Sequence, residues 1–302
     1  MSKIVVSSYI DIGIIDVFYN NKFSKKLNDY INKIRENLLE KLLTEIPNNY
    51  FIDSKYGLKW TNLRDQWKWV LNFISPINST SIKIQKMGGR KYNYDFLVVY
   101  TCENNEKNEK HIEFKFNSNN ISKLPQFLQL TDNSSIFIEE KYANYYYDGY
   151  LQQYLDIDPN LCNIEVPSKT EYIRMISSIN YSIHPLFLAM KEHENFEKTK
   201  KNEIVRLSIK SYLENNGKDI NCNKLSHMIM SRQKDKIYVM WDMSKFHIES
   251  FEQESINEYI GIEKNNSLVF KSNKNKFKLL LRWKNHIGIL NPAWQISCSP
   301  LK

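Results

Sequence analysis

The chain of 302 residues is poor in cysteine, glycine, proline and arginine. Its four cysteines, Cys102, Cys162, Cys222 and Cys298, lie far apart and form no C-x-x-C pair. That spacing argues against a disulfide framework and a zinc ribbon, and predicts an intracellular, reducing compartment. No stretch approaches 18 uninterrupted apolar residues, so no membrane span is expected. The opening Met1-Ser2-Lys3-Ile4-Val5-Val6 lacks the long apolar run and cleavage site of a signal peptide. The histidines show no H-E-x-x-H or H-x-H spacing, which argues against zinc chemistry. Neither a G-x-S-x-G elbow nor a Walker A loop occurs, so esterase-type and P-loop chemistry are unsupported.

What is present points to a folded protein with a polyanionic partner. Aromatic residues make up 13%, whereas disordered chains are poor in them. The length suits one large domain or two ordinary ones. The formal net charge is +8 and the isoelectric point about 9.0, which suggests nucleic acid as the partner. Lysine outnumbers arginine 35 to 7, and glycine and proline number 8 each. An AT-rich genome is the simplest account of that bias, and it explains part of the lysine excess.

Apolar periodicity predicts a first helix over 22–46, with Leu27, Ile31, Ile34, Leu38 and Leu42 on one stripe. Pro47 and Asn48-Asn49 end it. An aromatic-rich helix is expected over 60–74. The period then changes to two. Strands are expected at 82–85, 95–100 and 111–116, the last two joined by a polar loop over 103–110. Ile136-Phe137-Ile138 reads as a fourth strand. Residues 141–155, 170–181, 203–214 and 223–230 read as helical. Strands follow at 236–241, 246–249, 267–271 and 276–283. The polar break Lys198-Thr199-Lys200-Lys201-Asn202 suggests a first domain over 1–200 and a C-terminal α+β region over 201–302.

The chemistry centres on Asp95 and on Glu113-Phe114-Lys115. On adjacent antiparallel strands, Glu113 and Lys115 project from one face while Phe114 turns to the core. Two carboxylates and an ammonium would then converge. Mg²⁺ prefers such oxygen ligands together with substrate phosphate, and can polarise a phosphoryl oxygen and acidify a bound water. A neighbouring lysine can orient that water or stabilise developing charge. Arg90 and Lys91, after the Gly88-Gly89 pair, are candidates for contact with a phosphate backbone. The bland alternative is a surface hairpin carrying a cross-strand salt bridge.

Asp95 with Glu113-x-Lys115 resembles the PD-(D/E)xK nuclease superfamily, the restriction-endonuclease-like proteins, although Tyr94 replaces the motif's proline. The resemblance spans residues 22–140. It implies an α/β (α+β) fold with an αβββαβ core, its helix near 121–130 and its last strand near 136. It further implies Asp95 and Glu113 as metal ligands for Mg²⁺, with Mn²⁺ substituting, and Lys115 as the assistant of the nucleophilic water. DNA is the implied substrate of an endonuclease with target recognition, restriction- or homing-like. The family often adds a helix glutamate; Glu36 and Glu40 are candidates, and nothing in the sequence separates them. A homodimer would supply two sites for a duplex, but no interface is legible. The different-class alternative is a catalytically silent nucleic-acid-binding or structural protein retaining the fold.

His111 shares the face of Glu113 and reads as a rim residue. Tyr145-Tyr146-Tyr147 and Tyr150 could stack on bases but fit better as packing residues. Lys271, Lys274, Lys276 and Lys278 read equally as a phosphate-gripping hairpin or as a solvated strand edge.

Overall fold

The computed structural model describes residues 12–20, 25–52, 55–88, 92–124, 126–178 and 182–301. The first apolar stripe becomes α1 (Lys25–Lys41), which buries Ile31 and Leu38, with Leu42 buried just past its end and Leu27 exposed. The second helix, α2 (Gly57–Ile74), buries Trp60, Leu63, Trp67, Val70, Leu71 and Ile74 along one side. Period-two alternation then gives β1 (Ser79–Lys86), β2 (Phe96–Cys102) and β3 (Lys107–Phe116). A short β4 (Leu128–Thr131) precedes α3 (Tyr142–Gly149), α4 (Leu151–Leu155), α5 (Lys169–Ser177), α6 (Pro185–Glu192), α7 (Lys198–Asn216) and α8 (Cys222–Gln233). The chain ends in β5 (Lys236–Trp241), β6 (Phe246–Ser250), β7 (Glu258–Glu263), β8 (Ser267–Lys271), β9 (Asn275–Asn285) and β10 (Leu290–Pro300). The fold is mixed α/β, with two five-stranded sheets and eight α-helices among the described residues.

Two compact units divide the chain: residues 1–123 with 232–252, and residues 124–231 with 253–302. In the first, the sheet order is β1-β2-β3-β5-β6. Neighbours run antiparallel except β3 and β5, which run parallel with His111 opposite Lys236 and Phe116 opposite Trp241. Phe96, Val98, Tyr100, Ile112, Phe114, Val239 and Trp241 share one core with Leu38, Trp60 and Trp67 of the two helices. Each such large side chain contributes roughly 1.5–3 kcal/mol on burial. Two polar tips inside this core are satisfied: Trp241 Nε1 donates to the Phe18 carbonyl at 2.7 Å and Tyr100 Oη to the Leu71 carbonyl at 2.8 Å.

The second unit carries an antiparallel sheet in the order β4-β10-β9-β8-β7. Its core is aromatic, with Tyr142, Tyr146, Tyr212 and Trp294 fully buried and Trp283 nearly so. Of the tyrosines weighed as base platforms, Tyr146 is core, Tyr145 hydrogen-bonds Ser211, and Tyr147 donates to the Pro167 carbonyl. In the lysine-rich hairpin, Lys271 pairs with Glu258 at 2.8 Å and Lys278 with Glu263 at 3.2 Å. Those pairs count against the phosphate-gripping reading, and the strand-edge reading is corrected as well, because β8 and β9 are both interior strands of their sheet.

Three expectations are corrected. No helix forms over 121–130: a 3-10 turn (Ile121–Lys123) leads into β4. Residues 136–138 form no strand; Phe137 and Ile138 are buried from a turn. The reason is tertiary: Leu128 and Leu130 face inward, and β4 ladders onto Thr131–Leu128's partners Ala293–Ile296 in β10. The strand that follows β3 in the first unit's sheet is instead β5, more than a hundred residues later. The expected boundary near 200 falls within the first turn of α7, where Lys198 and Lys200 are exposed and Lys201 is buried, so the stretch is helix rather than linker. His184-Pro185 opens α6, with His184 Nδ1 accepting from the Leu186 amide at 3.2 Å.

Candidate active site

Asp95 sits one residue before β2, held by backbone bonds on both sides. Its N–H donates to the Ile112 carbonyl and its carbonyl accepts from Met87, both at 2.8 Å. Phe96 pairs with Ile112 in the antiparallel register. One further step sets Asp95 opposite Glu113. The Asp95 side chain turns toward β3, where Oδ2 accepts from the Phe114 amide at 2.8 Å. Glu113 and Lys115 leave the same face of β3, and Lys115 Nζ donates to Glu113 Oε1 at 2.6 Å. The structure thus brings Asp95, Glu113 and Lys115 together as the spacing predicts, while Phe114 packs into the core.

Two further residues join them. Lys236, the first residue of β5, places Nζ 3.3 Å from Glu113 Oε2, with only 3% of its side chain exposed. Glu36 of α1 pairs with Lys86 at 3.2 Å, and its charge acts on both Asp95 and Lys115. Glu40 is committed elsewhere, accepting from the Lys86 amide at 2.7 Å. Of the two helix glutamates the sequence left open, Glu36 is the one coupled to the site. Lys236 carries no motif signal, because its pairing depends on the parallel β3–β5 register.

The charges are crowded. Burial pushes the Asp95 carboxyl up to about 7, and the Glu113 and Glu36 charges add to the rise. Lys115 and the Phe114 amide oppose it. Burial alone would lower the Lys115 ammonium, but Glu113, Asp95 and Glu36 together raise it. Burial lowers Lys236, against the pull of Glu113 and with the help of Lys115.

His111 is a rim residue. Its ring stacks on Tyr94 with centroids 4.2 Å apart and planes 9° from parallel. Gly88 has a φ of +56°, a left-handed conformation that glycine adopts without penalty. Arg90 and Lys91 lie outside the described residues.

Among the described residues, no group of three or more His, Cys, Asp or Glu side chains is drawn together tightly enough to hold a metal ion. Both Glu113 oxygens face lysines. The donor chemistry nonetheless suits a hard divalent cation. Asp95 and Glu113 offer carboxylate oxygens, Glu36 adds negative charge, and a cation bound beside Asp95 would favour the ionised carboxylate that burial and the neighbouring charges disfavour. No family model and no curated protein matches this sequence.

Proposed function

We propose that the chain is a metal-dependent endonuclease of the PD-(D/E)xK kind, hydrolysing phosphodiester bonds in DNA. One observation carries the reading: Asp95, Glu113 and Lys115 converge where the start of β2 lies beside the end of β3. The order of elements supports it, since α1 precedes three antiparallel strands and β5 runs parallel to β3. The basic net charge of +8 suits a polyanionic substrate.

Asp95 and Glu113 would hold Mg²⁺ or Mn²⁺, with Glu36 contributing charge. When bound, the ion supplies Lewis-acid activation of the phosphoryl group and a water of lowered pKa. Lys115, oriented by its bond to Glu113, presents the positive charge that positions the attacking water and offsets charge developing on the phosphate. Phe114 fixes this geometry from both ends: its ring is anchored in the core and its amide holds Asp95.

Supercoiled plasmid incubated with Mg²⁺ or Mn²⁺ should be nicked or linearised, with loss of cutting in EDTA and in Asp95→Ala. Discrete bands would indicate target recognition. The capture of both Glu113 oxygens by lysines favours a second reading, a nucleic-acid-binding protein that no longer cuts. Binding that is indifferent to metal and to Asp95→Ala, with no cleavage of plasmid, single strands or RNA, would decide for it.

A further inference from the structure

Glu113 gives one oxygen to each of two lysines. Lys115 takes Oε1 at 2.6 Å, and Lys236 stands 3.3 Å from Oε2. Lys236 reaches this point from another strand, with His111 rather than Glu113 as its partner across the β3–β5 ladder. Its side chain is 3% exposed, and apart from the carboxylates its ammonium has the Tyr238 ring at 5.8 Å. Lysine is almost never buried this deeply without a partner, because removing the ammonium from water is costly. An apolar residue would serve the start of a buried strand at lower cost, so the cation at this place calls for an explanation in the site itself.

We infer that Lys236 is a built-in counter-cation of the carboxylate cluster, occupying the Glu113 oxygen that a divalent metal would use and thereby setting the site's metal affinity. The inference rests on the nuclease reading for the identity of the ligand. Lys115 holds its oxygen at the shorter distance, so Oε2 is the more readily exchanged. A metal bound there must tolerate the charge of Lys236 a few ångströms away. Loss of that charge leaves Asp95, Glu113 and Glu36 balanced by one cation fewer, and the site more attractive to a divalent ion. A lysine that merely braced the strand would have the opposite effect: its removal would loosen Glu113 and weaken metal binding.

The test is calorimetric titration of the full chain with Mn²⁺ alone, in the absence of nucleic acid. Lys236→Met and Lys236→Gln should bind Mn²⁺ about tenfold more tightly than the parent, and Lys236→Arg, which keeps the charge, within about twofold of it. Circular dichroism melts report whether each variant is folded; the glutamine variant, which keeps length and polarity, carries the comparison if the methionine variant does not fold. Asp95→Ala in the Lys236→Gln background should abolish the gain. Unchanged or weaker Mn²⁺ binding in a folded uncharged variant, or no Mn²⁺ binding by any of them, overturns the inference. The two readings fail separately. Tighter Mn²⁺ binding without plasmid cleavage upholds the role of Lys236 and sinks the nuclease; cleavage with unaltered Mn²⁺ affinity does the reverse.

Discussion

Asp95 is the residue at which burial and like charge meet, and its ionisation has a consequence for stability. Its carboxyl rises to about 7 in the folded protein, against about 3.9 in an unfolded chain. A carboxyl raised on folding contributes stability that is fully present below the unfolded value and is lost as pH climbs through the folded one. The loss therefore falls between about pH 4 and pH 7. Asp95→Asn, which cannot ionise and can still accept from the Phe114 amide, should be more stable than the parent at pH 8 by on the order of 2–4 kcal/mol, and close to it at pH 4. Urea midpoints in EDTA at the two pH values measure this; an equal difference at both would show that Asp95 does not titrate as its surroundings demand. At this scale much of the site was legible. Asp95, Glu113 and Lys115 were readable because strand alternation puts positions 113 and 115 on one face. Glu36 was readable only as one of two candidates, since helix spacing cannot say which glutamate faces a distant strand end. Lys236 was not readable at all.

Elements were legible where their packing follows local period. α1, α2, β1, β2 and β3 follow their apolar patterns within a few residues, and so do β5, β8 and β9. The failures are short pieces whose state is decided by neighbours. Residues 121–130 have a mixed apolar pattern, and β10 draws 128–131 into a ladder. α7 shows what fastens an element that its own pattern describes poorly. Lys201, in its first turn, is 2% exposed and bonds Asp158 Oδ2 at 3.1 Å and the His193 carbonyl at 2.8 Å. Asp158 is fully buried; burial would raise its carboxyl, but bonds from Lys201 and Asn160 outweigh this and lower it. Lys201→Ala strands that carboxylate and should cost about 3–5 kcal/mol by chemical unfolding. Combining Lys201→Met with Asp158→Asn should recover part of the loss. If the single and double variants are equally destabilised, the ion pair is not what holds α7.

At the scale of the whole molecule, the first sheet is closed by chain from a distant part of the sequence. β5 supplies the parallel neighbour of β3, and β6 follows it. A fragment of residues 1–200, a natural domain by composition, lacks both strands. It leaves the β3 edge unpaired and removes Val239, Trp241 and Phe246 from the core. Such a fragment should not unfold cooperatively and should aggregate, as judged by circular dichroism melts and size-exclusion chromatography. A soluble fragment with a sharp melt would mean that β1, β2 and β3 with α1 and α2 suffice.

Sequence alone determined the mixed α/β character, the antiparallel β2–β3 pair, and the convergence of Asp95, Glu113 and Lys115, because each follows from periodicity and from contacts between segments only eighteen residues apart. Tertiary structure decided which strand lies beside β3, which helix glutamate is coupled to the site, and that a buried Lys236 shares Glu113 with Lys115. Those are pairings between distant segments. Their selection depends on the burial and register of the assembled sheet, which no local pattern of residues encodes.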